Sequence, residues 1–346
     1  MRILLIHPFD AYSGAQRVAA TLADVFNDLG HDLTISLGFG DRGFVSDCID
    51  VKRFFSINII WVRKILYPIW ILWMWPRIFY AALKNNVIWA NAVYAIPVVL
   101  PALWLKPKCV VIHIHEIEFP RVFHRLAAWG IRRGARVVCV SETHKQILSL
   151  SADVLHNCVG FFSEQEKHNP SVLLFVGAVS ELKGFNLFVD VVRELRSKNI
   201  RALAFVPSIP PKASALLTAA QMAGIEVVVG VSDPKFIYPG ATLLLQCTDP
   251  ELWTETFSLV MAEALASGVP VATTGMKVAP EILSDAWAFD VPGRNPKEIA
   301  AKIDDLFNSS EKIDLLCLAA LRRRNHFTYD RFKTNVSTIL NNMESV

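Results

Sequence analysis

The sequence predicts an α/β fold built from two Rossmann-like domains in tandem. Three observations carry this. The chain opens on strand, loop, helix and strand between Ile3 and Leu37. A polar, proline-ending stretch at 162–170 follows, and the same alternation then restarts at Val172. The strands are continuous apolar runs rather than alternating ones, as expected of a parallel sheet covered on both faces. With 346 residues, each half is long enough to bury its own core. Two such halves imply a cleft between them, the usual place for a ligand.

Composition narrows the function classes. Hydrophobic residues make up 53% and charged residues 19%, so the core is large or part of the surface is apolar. A net charge of +3 is too mild to argue for nucleic acid. The 6 cysteines are scattered without a CxxC pair and read as buried small hydrophobes in a reducing compartment. The apolar run Ile3-Leu4-Leu5-Ile6 is too short for a secretory signal and fits a first strand.

In the first half, His7 to Ser13 forms a loop, and Gly14-Ala15 opens a helix with Val18, Ala19, Leu22, Ala23 and Phe26 at helical spacing. The turn lacks the Gly-x-Gly-x-x-Gly fingerprint, which argues against a nicotinamide dinucleotide. Gly14 either lets backbone approach a ligand at the helix start or is a structural turn. Leu33 to Leu37 and Val87 to Asn91 read as strands, and Ala95 to Leu105 as an apolar helix. The strand Cys109–His115 ends in histidine, followed by Glu116. Ligands collect at the carboxyl ends of parallel strands, so His115 is either a site residue or a satisfied core histidine. His113 shares its face, and the sequence separates the two poorly. Ser141 is placed to cap the next helix.

Two stretches of this half carry unusual surface chemistry. Residues 57–83 hold four tryptophans with Arg63, Lys64 and Arg77 among them. The uncharged run from Ile65 to Pro76 is too short to span a bilayer. It reads either as a membrane-interface segment or as an ordinary buried helix pair. Residues 121–136 carry Arg121, Arg125, Arg132, Arg133 and Arg136 around apolar positions. That is either a solvated face or a surface for anionic lipid or a phosphorylated acceptor.

The second half alternates strands at Val172–Gly177, Ala202–Val206, Val227–Gly230, Leu243–Gln246 and Pro270–Thr273 with helices at Leu187–Leu195, Leu216–Ala223, Pro296–Phe307, Lys312–Asn325 and Tyr329–Asn342. Its most informative stretch runs from Glu251 to Thr274. Glu255 and Glu263 stand eight residues apart, the second among apolar neighbours. Ionised carboxylates in such company are costly unless something binds them.

Together these residues resemble glycosyltransferase family 4. The carriers are Glu255-x7-Glu263 inside ETFSLVMAEALASGVPVATT, Ser13-Gly14-Ala15-Gln16-Arg17, His115-Glu116, Val138-Cys139-Val140-Ser141-Glu142, Lys183-Gly184, and Phe327 to Phe332 at the end. The resemblance implies the GT-B architecture: an N-terminal acceptor domain over 1–162, a nucleotide-sugar donor domain over 163–326, and a terminal helix over 327–346 crossing back. It implies a retaining transferase that moves a sugar from a nucleotide sugar to a glycan or lipid-linked acceptor in cell-envelope polysaccharide or lipopolysaccharide assembly. The alternative is a non-catalytic GT-B-like binding subunit.

The same resemblance implies the roles. His115 and Glu255 would be catalytic, bordering and holding the sugar. Gly14, Lys183 and Val231 would contact the donor. The N–H groups of Phe257, Ser258 and Leu259 would hold the diphosphate, and Glu263 the ribose. No Asp-x-Asp occurs in the chain, so neither metal nor cofactor is expected. The chain departs from the family at Gly177-Ala178, where an arginine is usual. Expected partners are the nucleotide sugar, the acceptor, and an anionic membrane through 57–83 and 121–136. The expected location is cytoplasmic, at the inner membrane face.

Overall fold

The structure is a computed structural model that describes every residue except 12, 41, 49–51, 57–58, 85, 160–170, 197–198, 212, 232 and 345–346. The expected linker at 162–170, the boundary at 162/163, Ser232 and the first two residues of the tryptophan-rich stretch lie outside the described residues. The chain separates into two compact units, one of residues 1–157 with 332–346 and one of residues 158–331.

The first unit is built on a parallel sheet of seven strands in the order β3-β2-β1-β4-β5-β6-β7. The strands are β1 (Arg2–Phe9), β2 (Asp32–Phe39), β3 (Lys52–Phe55), β4 (Val87–Asn91), β5 (Val110–Ile114), β6 (Arg136–Cys139) and β7 (Asp153–Val154). Their helices are α1 (Gly14–Asp28), α2 (Phe44–Cys48), α3 (Ile60–Leu83), α4 (Leu100–Leu105), α5 (Arg121–Arg132) and α6 (Glu142–Leu148). All five residues of β4 and of β5 are buried, which is why they read as unbroken apolar runs. Ser141 caps α6 by accepting from the His144 N–H at 2.9 Å.

The second unit repeats the plan with six parallel strands in the order β10-β9-β8-β11-β12-β13. They are β8 (Val172–Val176), β9 (Arg201–Val206), β10 (Glu226–Val229), β11 (Leu243–Gln246), β12 (Val271–Thr273) and β13 (Trp287–Asp290). The helices are α7 (Phe185–Glu194), α8 (Ser214–Met222), α9 (Pro234–Ile237), α10 (Leu259–Ala266), α11 (Ala279–Leu283), α12 (Pro296–Phe307) and α13 (Ser310–Arg323). A last helix, α14 (Tyr329–Glu344), carries the chain end.

Each sheet starts in the middle, winds to one edge, then returns to build the other. The order reverses between β1 and β4 in the first and between β8 and β11 in the second. In doubly wound sheets this reversal opens a crevice at the carboxyl ends of the two central strands.

Two expected helices differ. Residues 60–83 do not form a buried helix pair: α3 is one helix of 24 residues with Pro68 and Pro76 inside it. Trp70, Met74 and Ile78 are fully buried against the sheet, and this packing holds the helix together across the prolines. Both prolines lie on the exposed side, where the Lys64 and Leu72 carbonyls lose their helical partners at least cost. The expected helix Ala95–Leu105 is a 3-10 turn at Val93–Ala95, then α4 from Leu100. Pro97 and Pro101 withhold the N–H groups that a single helix would need.

Candidate active site

At the reversal of the second sheet, the predicted residues form pairs. Lys183 lies in the turn after β8, and Gly184 caps α7 with φ +71°. A Cβ at Gly184 would lie 2.0 Å from the Cys247 carbonyl oxygen, so only glycine lets this turn close on the end of β11. The Lys183 ammonium forms an ion pair with Glu255 Oε1. Its Nζ also lies 5.7 Å from the centre of the Trp253 ring, a cation–π contact. Both partners are largely buried, with 29% of the lysine and 15% of the glutamate side chain exposed. The carboxylate in the loop before α10 is thus held by the lysine of the turn.

Glu263 is placed differently. It sits inside α10, only 7% exposed, and its Oε2 accepts a hydrogen bond of 2.9 Å from the Tyr238 hydroxyl. Tyr238 closes the short helix α9, which Asp233 caps at its start. The loop containing Val231 is therefore tied to Glu263 through α9. The helix start differs from expectation. Ser258 is the cap, its hydroxyl accepting from the Met261 N–H at 3.3 Å, and α10 begins at Leu259. Phe257 precedes the helix and packs its ring 5.8 Å from that of Phe327. The outward N–H groups at the helix start are those of Leu259 and Val260, and Phe257 supplies packing.

A cation that the sequence did not flag stands behind these groups. Arg294, with φ +53°, donates to the Cys247 carbonyl at 2.8 Å and pairs with Asp249 at 3.4 Å. It holds the end of β11 against Gly184. Ala178 itself offers no charge. Trp253 lies two residues before Glu255, whereas Tyr238, Asp249 and Arg294 lie in no family motif, and only their position after β10, β11 and β13 could have drawn notice.

The reversal of the first sheet gathers neutral polar groups. Asn91 is the last residue of β4. Its Nδ2 donates to the Ala15 carbonyl at 3.0 Å, so its Oδ1 faces His115 Nε2 at 2.9 Å. His115 therefore carries its proton on Nε2, which leaves Nδ1 with the lone pair. Asn91 thus joins the turn of Gly14 to His115. Glu116 steadies the same corner by accepting from the Val93 and His115 N–H groups, each at 3.1 Å. Burial pushes its pKa above the ordinary carboxylate value, making it a weaker acid.

His113 is fully buried within β5, its ring 4.2 Å from that of His115. Neither of its ring nitrogens has a hydrogen-bond partner. His7 reaches the Asn91 carbonyl at 2.8 Å, and His144 the Glu116 carbonyl at 3.0 Å. Burial pushes His7 and His144 down to about 4 and His113 to about 3, and His115 well below its ordinary value. All four rings are neutral near pH 7. Of the two histidines that the sequence left unresolved, His115 lies just past the strand end, and His113 is walled into the core. Asn91 and His7 escaped sequence reading as lone polar residues in apolar strands, and His144 as one polar residue among several in α6.

Among the described residues no three His, Cys, Asp or Glu side chains converge to hold a metal ion.

Comparison with known sequences divides along the same two units. Residues 12–157 match "Glycosyltransferase Family 4" and residues 170–309 match "Glycosyl transferases group 1". The chain belongs to glycosyltransferase family 4. This family 4 chain is 25% identical over 189 residues to spore coat protein SA of Bacillus subtilis, which covers 51% of the chain. It spans about half the length of that curated relative, 50%. Among solved structures it resembles Anabaena HepE in complex with UDP and glucose, at TM-score 0.77 and 17% identity, over 99% of this chain and 100% of that one. It also resembles the lipopolysaccharide outer core galactosyltransferase WaaB, at TM-score 0.69 and 13% identity over 99% of each chain. At these identities the likeness establishes the fold, which is GT-B.

The basic stretch of the family 4 chain is only partly a surface. Arg133 donates to the Leu103 and Trp104 carbonyls at 3.3 and 2.8 Å, capping the end of α4. Arg136 pairs with Asp153 at 3.0 Å and donates to the Asn342 carbonyl at 3.2 Å. Arg121, Arg125 and Arg132 remain exposed on α5. No helix among the described residues is long and apolar enough to cross a membrane.

Proposed function

We propose that this protein is a glycosyltransferase that takes a sugar from a nucleotide sugar and transfers it, with retention, to a glycan or lipid-linked acceptor. One observation carries the reading: the Lys183–Glu255 pair and the Tyr238–Glu263 pair flank the capped start of α10 at one sheet reversal. A nucleotide sugar asks for this set of groups. The α10 N–H groups favour a diphosphate. Glu263 accepts from ribose hydroxyls, and the Val231 loop meets the base. Glu255 accepts from sugar hydroxyls once Lys183 turns to the diphosphate. In the transition state Lys183 then meets the charge growing on the leaving group. Family position assigns Gly14 to the donor and His115 to the sugar. The chemistry proposed uses no metal ion.

The complexes of HepE with UDP and glucose make UDP-sugars the first donors to test. Cell-envelope polysaccharide or lipopolysaccharide assembly is the proposed setting, supported by the fold shared with WaaB and by the apolar face of α3. That face and the exposed arginines of α5 would rest on an anionic membrane at its cytoplasmic side.

The test is a thermal-shift and hydrolysis screen of UDP-, GDP-, dTDP- and ADP-sugars. One donor should raise the melting temperature in proportion to the logarithm of its concentration and be slowly hydrolysed. Silence with all four would favour a binding subunit without activity, a reading helped by the uncharged Ala178.

A further inference from the structure

One aromatic ring at the second sheet reversal is built into the site and left open to solvent. Trp253 stands two residues before Glu255 and is 45% exposed, beside Leu252 at 55%. We propose that Trp253 is the platform on which the pyranose ring of the donor stacks, and that Lys183 covers this platform until a diphosphate draws it away. This rests on the transferase reading and adds to it a residue that reads the sugar rather than the nucleotide.

The ring is held in place through Asp249, just past β11. The Asp249 N–H donates to the Leu182 carbonyl at 3.0 Å, and its carbonyl accepts from the Trp253 N–H at 2.8 Å. Its Oδ1 accepts from the Glu251 N–H at 3.0 Å, closing an Asx turn, and its Oδ2 pairs with Arg294 at 3.4 Å. The backbone of Trp253 and the backbone next to Lys183 are thus fixed to the same residue. This anchoring sets where the ring stands without burying it. An apolar ring held in place but open, at the carboxyl edge of a sheet reversal, is a surface prepared for a ligand.

Lys183 marks what that surface faces. Its ammonium pairs with Glu255 Oε1 and lies 5.7 Å from the centre of the Trp253 ring, so the carboxylate and the ring border one space. A pyranose presents a rim of hydroxyls and a face of C–H groups. Glu255 complements the rim, because a carboxylate only accepts. Trp253 complements the face, because C–H groups are weakly positive and the face of an indole is negative. The ammonium itself is readily drawn off. Phosphate oxygens offer it charge-assisted hydrogen bonds, which outweigh its attraction to a half-exposed ring. When a diphosphate takes Lys183, the carboxylate and the ring are uncovered together. A nucleoside diphosphate without a sugar also draws off the lysine but leaves the ring with nothing to hold.

The probes are UDP-, GDP-, dTDP- and ADP-glucose, each measured by calorimetry beside its own nucleoside diphosphate. Trp253→Ala should weaken the accepted nucleotide sugar by about ten-fold. It should leave the nucleoside diphosphate as tight or tighter, since Lys183 then gives up one partner fewer. Trp253→Phe should retain most of the nucleotide-sugar affinity, and Trp253→Leu should lose it as alanine does. Because the ring is exposed, melting temperatures without ligand should stay within a few degrees of wild type in all three variants. Equal weakening of both ligands by Trp253→Ala would make Trp253 a support for Lys183 alone and overturn the platform. Full binding of the nucleotide sugar by Trp253→Leu would overturn it too, as would a wild type that binds a nucleoside diphosphate but none of the nucleotide sugars. The two readings fail separately. If the wild type binds a nucleotide sugar and Trp253→Ala binds it equally well, this inference alone is lost. If the wild type binds none of the probes, the transferase reading is lost with it.

Discussion

The two sheet reversals share a topology and differ in their electrostatics. Between β8 and β11 the crevice is charged: Lys183 with Glu255, Arg294 with Asp249, and Glu263 on a phenol. Between β1 and β4 ion pairs give way to Asn91 and four histidines whose burial keeps them unprotonated, beside the buried carboxyl of Glu116. The strand order that makes a crevice does not decide what the crevice binds. Charged pairs that can exchange partners suit an anionic donor with many hydroxyls.

The largest effect should come from breaking the charged side. Lys183→Ala and Glu255→Ala should each lower donor turnover by about 10²–10³-fold, with melting temperatures within a few degrees of wild type. Near-normal steady-state rates would remove these residues from the site.

Acid should break the histidine side next. Above the ordinary histidine value near 6.5, the rings are uncharged both folded and unfolded. Below it, the unfolded chain takes up protons that the folded His7, His113 and His144 refuse until pH about 4, 3 and 4 respectively. Stability should therefore fall as pH drops from about 6.5 to about 3, by at most roughly 1.4 kcal/mol per pH unit for each histidine. Denaturant melts across that range measure it. His113→Phe should flatten the acid limb, because this ring gives up no hydrogen bond.

A smaller cost, of about 1–3 kcal/mol from backbone strain alone, should follow Gly184→Ala, where the new Cβ meets the Cys247 carbonyl. The same variant should weaken donor binding by moving Lys183, visible as a smaller thermal shift with the donor. Smallest of all, Ser258→Ala should cost about 1 kcal/mol through loss of the α10 cap, read in a urea melt. If the capped helix start holds the diphosphate, that variant should raise KM more than it lowers kcat.

How much of this could be read in advance follows from the physics of each element. Strands such as β5 and β11 announce themselves because burial on both faces demands a continuous apolar run. The Lys183-Gly184 turn and the Glu255 to Glu263 spacing were legible because a tight backbone approach and a helix start need fixed residue types at fixed separations. The three-residue β12 was visible only through the helix before it. The four-residue β13 went unseen, since Trp287 to Asp290 carries little pattern of its own. The prolines of α3 argued locally for a break, and the burial of Trp70, Met74 and Ile78 overruled them.

The sequence by itself determined the α/β class, through periodicity and buried strand runs, and its motifs carried the family resemblance that implies Lys183, Glu255, Glu263 and His115 as candidates. Only the tertiary structure decided who pairs with whom. Lys183 and Glu255 are 72 residues apart, Tyr238 and Glu263 are 25 apart, and Asn91 reaches both Ala15 and His115. A parallel sheet brings the ends of strands distant in sequence to one edge, and the partners found there are set by strand order rather than by local pattern.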